Sequence, residues 1–140
     1  GSLLLMVALA LGAPWVLAAS GLADPPGNPE AELKTAQTHA GFAAKYDSLQ
    51  EVTLHLHHVL NCVAGPRDKH FDASAGNPCQ GQGDGALPDL KAKAGEDGQY
   101  YFARWIARIA DEGIASKNLG EAKAAARVIT LALQGAMQGK

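Results

Sequence analysis

Between residues 49 and 63 the apolar positions are Leu49, Val52, Leu56, Val59, Leu60 and Val63, spaced three and four apart as on one face of a helix. Ser48, with Glu51 three residues on, supplies a capping box at its start, and Gly65-Pro66 stops it. The same logic predicts a helix over about 29–45. There Asn28 caps, Pro29 takes the first helical position, acids follow, and Leu33, Ala36, Ala40 and Ala44 share a face. A third long helix is predicted over about 98–117, with Tyr101, Phe102, Trp105, Ile106 and Ile109 inward and Arg104, Arg108 and Asp111 outward. Asn118 and Glu121 open a last one over about 119–137, with Ala122, Ala126, Ile129, Leu133 and Ala136 or Met137 facing in. Pro88-Asp89 marks a short helix to about 94, broken by Gly95-Glu96-Asp97-Gly98.

Arg67 to Leu87 carries Gly76, Gly81, Gly83, Gly85 and Pro78, and reads as a long irregular loop. Loops of this length are uncommon in compact domains unless they are functional or tied down. The expected fold is therefore all-α: a four-helix-bundle-like array with one long loop, in a single domain over 29–140. Composition agrees, since Ala and Gly dominate and β-branched residues are sparse.

Residues 3–19 form an uncharged apolar run ending in small side chains, the pattern of a secretory signal peptide with candidate cleavage after Ala18, Ala19 or Ala23. The Met start and basic n-region are missing, so 1–23 reads as a truncated leader, followed by a polar linker over 24–28. A membrane anchor is the competing assignment, but Gly12 and Pro14 interrupt the run and it falls short of the ~20 apolar residues a span needs. A periplasmic or secreted location follows, with no stable membrane insertion after leader removal. In an oxidising compartment the two cysteines, Cys62 and Cys79, have one possible partner each. Their disulfide closes a loop worth about 3 kcal/mol on the chain-entropy model.

Twelve Lys and Arg against fourteen Asp and Glu give a net charge of −2, and the cations are scattered. Nucleic-acid binding needs a concentrated positive surface and is not expected. The chemistry concentrates instead in His55-Leu56-His57-His58-Val59-Leu60-Asn61-Cys62. On a helix, His55 and His58 stand one turn apart beside the apolar stripe with Cys62 beyond them, and His57 points elsewhere. A His-x-x-His pair lets two imidazoles reach one metal ion. With the loop pulled back by the disulfide, His70 and Asp72 are the best further ligands, and His39 on the first helix is a more distant one. Imidazole and carboxylate donors suit Cu(II), Zn(II) or Ni(II). The commoner fate of a histidine beside an apolar stripe is structural, hydrogen-bonded to a carbonyl or carboxylate.

Weaker motifs add little. Gly81-Gln82-Gly83-Asp84-Gly85 does not join a strand to a helix, as a phosphate cradle would. Asp84 and Asp89 lack EF-hand spacing, no Cys-x-x-Cys-His offers covalent haem attachment, and no Ser or Thr has a nucleophile setting. The segment His-x-His-His-x-x-Asn-Cys, with Gly-Pro, Phe71-Asp72, Asn77-Pro78-Cys79 and Gly83-Asp84-Gly85 after it, resembles small exported helical proteins of Gram-negative bacteria that carry no assigned activity. The resemblance spans residues 35–90 and implies an envelope location. Two functions are therefore carried forward. The first is a non-enzymatic binding or structural protein of the cell envelope, with a protein partner. The alternative is a periplasmic metal-binding protein using His55 and His58 with His70 or Asp72, its cofactor a divalent transition metal.

Overall fold

A computed structural model describes residues 27–138, which fold into five helices; the leader and most of the linker over 1–26 lie outside the described residues. The helices are α1 (Pro29–Lys45), α2 (Leu49–Ala64), α3 (Ala86–Ala94), α4 (Gly98–Ala115) and α5 (Leu119–Gln138), with a single 3-10 turn at Ala73–Ala75 in the loop after α2. No strand is present among the described residues, and none of their helices is long and apolar enough to cross a membrane. Four helices form a ring in which α1 packs on α2 and α5, α2 on α4, and α4 on α5. The short α3 lies against α1, α2 and α4.

The helix starts follow the capping signals. Asn28 Oδ1 accepts from Ala31 N at 3.0 Å, Ser48 Oγ from Glu51 N at 3.2 Å, Asp97 Oδ1 from Tyr100 N at 3.0 Å and Asn118 Oδ1 from Glu121 N at 3.1 Å. Each satisfies a first-turn N–H that has no partner within the helix. Helix α3 begins at Ala86, upstream of the position Pro88 suggested, because a proline in the first turn sacrifices no intrahelical bond.

The core is aliphatic and small. From α2 it takes Val52, Leu56, Val59, Leu60 and Val63; from α1, Ala36, Ala40 and Ala43; from α4, Ala103, Ile106 and Ala110; and from α5, Ala122, Ala126, Ile129 and Leu133. The inward aromatic stripe expected on α4 is corrected here: Tyr101 is 51% and Trp105 44% exposed. The face that turns in runs through Ala103, Ile106, Ala110 and Gly113, because closely approaching helices leave space for small side chains and none for indoles. Gly113 shows how tight the fit is, since a Cβ there would stand 2.8 Å from both Leu56 Cδ1 and Ala125 Cβ.

Two polar residues are fully buried, Asn61 and Glu32. Glu32 joins three elements: its Oε1 accepts from Gly85 N at 2.8 Å, and its carboxyl meets that of Asp89 in the first turn of α3. Asp89 in turn accepts from Asp84 N at 3.0 Å. Two carboxyls can hydrogen-bond only when one keeps a proton. Burial first, and the charges of Asp89 and Asp84 after it, push Glu32 up to about 8 from an ordinary 4.5, against the lowering effect of the Gly85 N–H. The glycines of 81–85 make this approach possible. A Cβ on Gly83 would overlap the Asp89 carboxylate, and one on Gly85 would stand 2.6 Å from Gly65.

Two stability predictions follow from this packing. Gly113→Ala should destabilise the fold despite the ~1 kcal/mol gain in helix propensity, whereas Gly135→Ala on the open face of α5 should stabilise it by about 0.5–1 kcal/mol. Chemical denaturation of both variants checks this opposition of signs. For Glu32, the folded pKa lies above the unfolded one, so the folded chain holds the proton more tightly; the resulting stability is fully present below about pH 4.5 and is lost as pH rises from there to about 8. Glu32→Gln keeps the acceptor for Gly85 N and donates to Asp89, so its Tm should exceed that of the parent at pH 8.5 and match it near pH 4.5. Equal Tm values at both pH values would sink this account of the pair.

Candidate metal centre

Helices α1 and α2 are joined by a short turn, and residues equidistant from its Asp47 lie level on the two helices. His39 and His55 are such a pair. The alanines of α1 let the two helices approach closely, and His58 follows one turn along α2 on the same side. The three rings meet at the α1–α2 seam, half-buried: His39 Nδ1 is 3.0 Å from His55 Nδ1 and 3.1 Å from His58 Nδ1. Ring centroids are 4.6 Å apart for His39–His58 and 5.3 Å for His39–His55 and His55–His58. On the solvent side Tyr46 stacks on His55 with planes 6° apart, and Phe42 packs edge-on to His39.

The protons are constrained. His58 Nε2 lies 2.7 Å from the Ala75 carbonyl oxygen, which can only accept, so Nε2 carries the hydrogen and the Nδ1 of the neutral ring is a bare lone pair. A proton on His39 or His55 can bridge that pair, yet at least two lone pairs still converge on one point. Burial is the main cause that lowers His39 to about 4, with the charges of His58 and His55 adding to it; His55 is lowered by burial and by His58. Both are neutral at pH 7, the form that ligates metal. Tetrahedral ligands about 2.0–2.1 Å from a metal stand roughly 3.3 Å from one another, close to the separations found here.

The loop reaches this helix by three routes. The disulfide Cys62–Cys79 is formed, with Cα atoms 5.2 Å apart. Asn61, buried beside it, donates through Nδ2 to the carbonyls of Asp72 and Gly76, both at 2.7 Å, and accepts at Oδ1 from Asp72 N at 2.9 Å. The third route is the Ala75 carbonyl on His58.

Of the ligands expected from sequence, the structure brings together His55 and His58 and completes the triad with His39, not with His70 or Asp72. His70 is exposed and bonded to Asp68 at 3.0 Å. Asp72 spends its Oδ1 on Ser74 N and Oγ, at 2.9 and 2.6 Å, capping the 3-10 turn. Its Oδ2 sits 3.6 Å from His57 Nδ1 on the other side of α2. The loop is drawn back as expected, but it presents a backbone carbonyl to the histidines and turns its side chains away. Sequence reasoning also gave no role to Asn61; its position one turn beyond His58 and next to Cys62 was the available signal. No protein-family model, curated protein or solved structure matches this chain.

The histidines set an acid limb on stability. Because the folded pKa of His39 lies below the unfolded 6.5, the unfolded chain binds more protons between pH 6.5 and about 4, and the metal-free fold weakens across that window as pH falls. His39→Gln should flatten this limb, leaving the smaller His55 contribution. Thermal melts of metal-free protein from pH 7 to 4.5 measure it, and parallel curves for parent and variant would refute the assignment.

Proposed function

We propose that this chain is an exported, disulfide-stabilised helical protein that binds a divalent transition metal through His39, His55 and His58. The observation that carries the proposal is the convergence of three Nδ1 atoms, two of their separations being 3.0 and 3.1 Å. A cation is the one occupant that uses every lone pair at once. Three imidazoles without a thiolate favour Cu(II), Zn(II) or Ni(II) over soft or hard ions. The outer contact from Ala75 to His58 is of the kind that orients metal-binding histidines. Export is supported by the disulfide and by the leader-like run at 3–19. Binding is preferred to catalysis because the acid nearest in charge to the rings, Glu51, is exposed and engaged with Ser48 at 2.7 Å.

Structural histidines are the second reading, favoured by the bond from His58 to Ala75. Metal titration of the full chain separates the two. With Zn(II), Cu(II) or Ni(II) at 100 times its Kd, the fold gains about 2.7 kcal/mol, a Tm rise of roughly 10 °C. His39→Ala, His55→Ala and His58→Ala should each weaken binding by more than the 10–100-fold typical of a lost outer contact, whereas His57→Ala and His70→Ala should stay within about twofold. No heat and no Tm shift with any of the three metals would leave the structural reading standing.

A further inference from the structure

On the reading just given, we propose that the metal centre is completed only when Cys62 and Cys79 are joined, so that a chain with both thiols free holds metal weakly. Of the three ligands, His39 and His55 are placed by helix packing alone. His58 is different, because the tautomer that leaves Nδ1 free is fixed by a carbonyl in the loop. That loop is tied to α1 at its far end, where Gln82 meets the Thr35 hydroxyl and its carbonyl accepts from Asn28 N at 2.8 Å. From Asp68 to Gln82 its bonded backbone N–H groups reach carbonyls or side chains a few residues earlier, as turns, except Asp72 N, which donates to Asn61 Oδ1. Its ties to α2 near Ala75 are the Asn61 amide and the cross-link to Cys79, since the contact between His57 and Asp72 is too long for a hydrogen bond.

The covalent step is thiol–disulfide exchange. Cys62 and Cys79 give two electrons and two protons to a disulfide oxidant, which leaves as a dithiol while the new S–S bond forms. Before that step the stretch around Ala75 is held to α2 by Asn61 and by the His58 contact itself, with Gln82 anchored to α1 further on, against the entropy of a long glycine-rich loop. Released from Ala75, the His58 ring is free to turn, and its Nδ1 is no longer held toward His39. The cross-link thus orders an outer contact, and the outer contact sets the ligand. A chain still in a reducing compartment would leave metal alone and load it after oxidation.

The test uses the full chain and Zn(II), which undergoes no redox chemistry. Three proteins are titrated by calorimetry in the presence of a competing chelator: the oxidised parent, the Cys62→Ala, Cys79→Ala double variant, which removes thiolates as rival ligands, and Asn61→Ala with the disulfide intact. Far-UV circular dichroism reports helix content, and ring ¹⁵N shifts report the His58 tautomer without metal. The expected result is a 10–100-fold loss of Zn(II) affinity in both variants, with helix content kept and the ring ¹⁵N shifts of His58 moved away from those of the parent. Affinity within about twofold of the parent, with unchanged ring shifts, overturns the proposal. Should the double variant fail to fold, the parent reduced and with both thiols blocked by alkylation takes its place in the same two readouts. A parent that takes up no Zn(II), Cu(II) or Ni(II) removes the metal centre itself, and this inference with it; a binding parent with unaltered variants removes the inference alone.

Discussion

The closeness of α1 and α2 governs the rest of the structure. Ala36, Ala40 and Ala43 present methyl groups where most helix pairs present leucines, and all three are fully buried. Interaxial distance is set by the side chains at the contact, so an alanine face draws the helices together. Imidazoles on opposite helices then meet ring to ring at the edge of that contact. Larger residues at the alanine positions would keep the hydrophobic seal and separate His39 from His55. The histidine cluster is in this sense a consequence of small residues that have no chemistry of their own.

The two buried polar residues show opposite solutions to one problem. Asn61 uses both its amide hydrogens and its oxygen on loop backbone, and a fully paired amide of this kind specifies a unique arrangement at little net cost. Glu32 is satisfied only with a proton present, its second oxygen having no donor among the described residues otherwise. The first therefore locks the loop at every pH, and the second makes the junction of α1, the loop and α3 dependent on pH. Both sit at ends of the same glycine-rich segment, which is how a stretch with almost no regular structure acquires a fixed path.

Helices were legible because their signals are local. Asn28, Ser48 and Asn118 each cap the helix whose start they mark, Asp97 caps α4 from within what the sequence offered only as a break, and the α2 stripe is the buried face of α2. The α4 face was not legible, since hydrophobicity points to Tyr101 and Trp105, whereas packing between close helices chose Ala103, Ala110 and Gly113. The pair of His55 and His58 was readable from helical spacing. Their third partner, His39, was placed only as a more distant candidate behind His70 and Asp72, because it comes from the neighbouring helix and the loop histidine is nearer along the path the disulfide suggests. Distance from the turn at Asp47 was the signal that would have found it: in a helical hairpin, residues equally far from the turn face each other.

A structural role for the three histidines must account for their polar atoms, and this is where the two readings divide. A structural histidine is held by a carbonyl or a carboxylate, as His58 is by Ala75 and His70 by Asp68. At the seam, His39 and His55 turn their Nδ1 atoms toward each other and toward His58. For packing alone, this arrangement is poor, since one shared proton cannot satisfy all three nitrogens and the acid side of the pH range adds a cost that aliphatic residues would avoid. Burial that lowers His39 also keeps it unprotonated, which is a liability for stability and an asset for coordination. Interactions that weaken a fold without an evident local gain are expected at functional sites. On the proposed reading the missing gain would come from a cation accepting three lone pairs together, and two of the Nδ1 separations, 3.0 and 3.1 Å, are close to those of ligands on one ion.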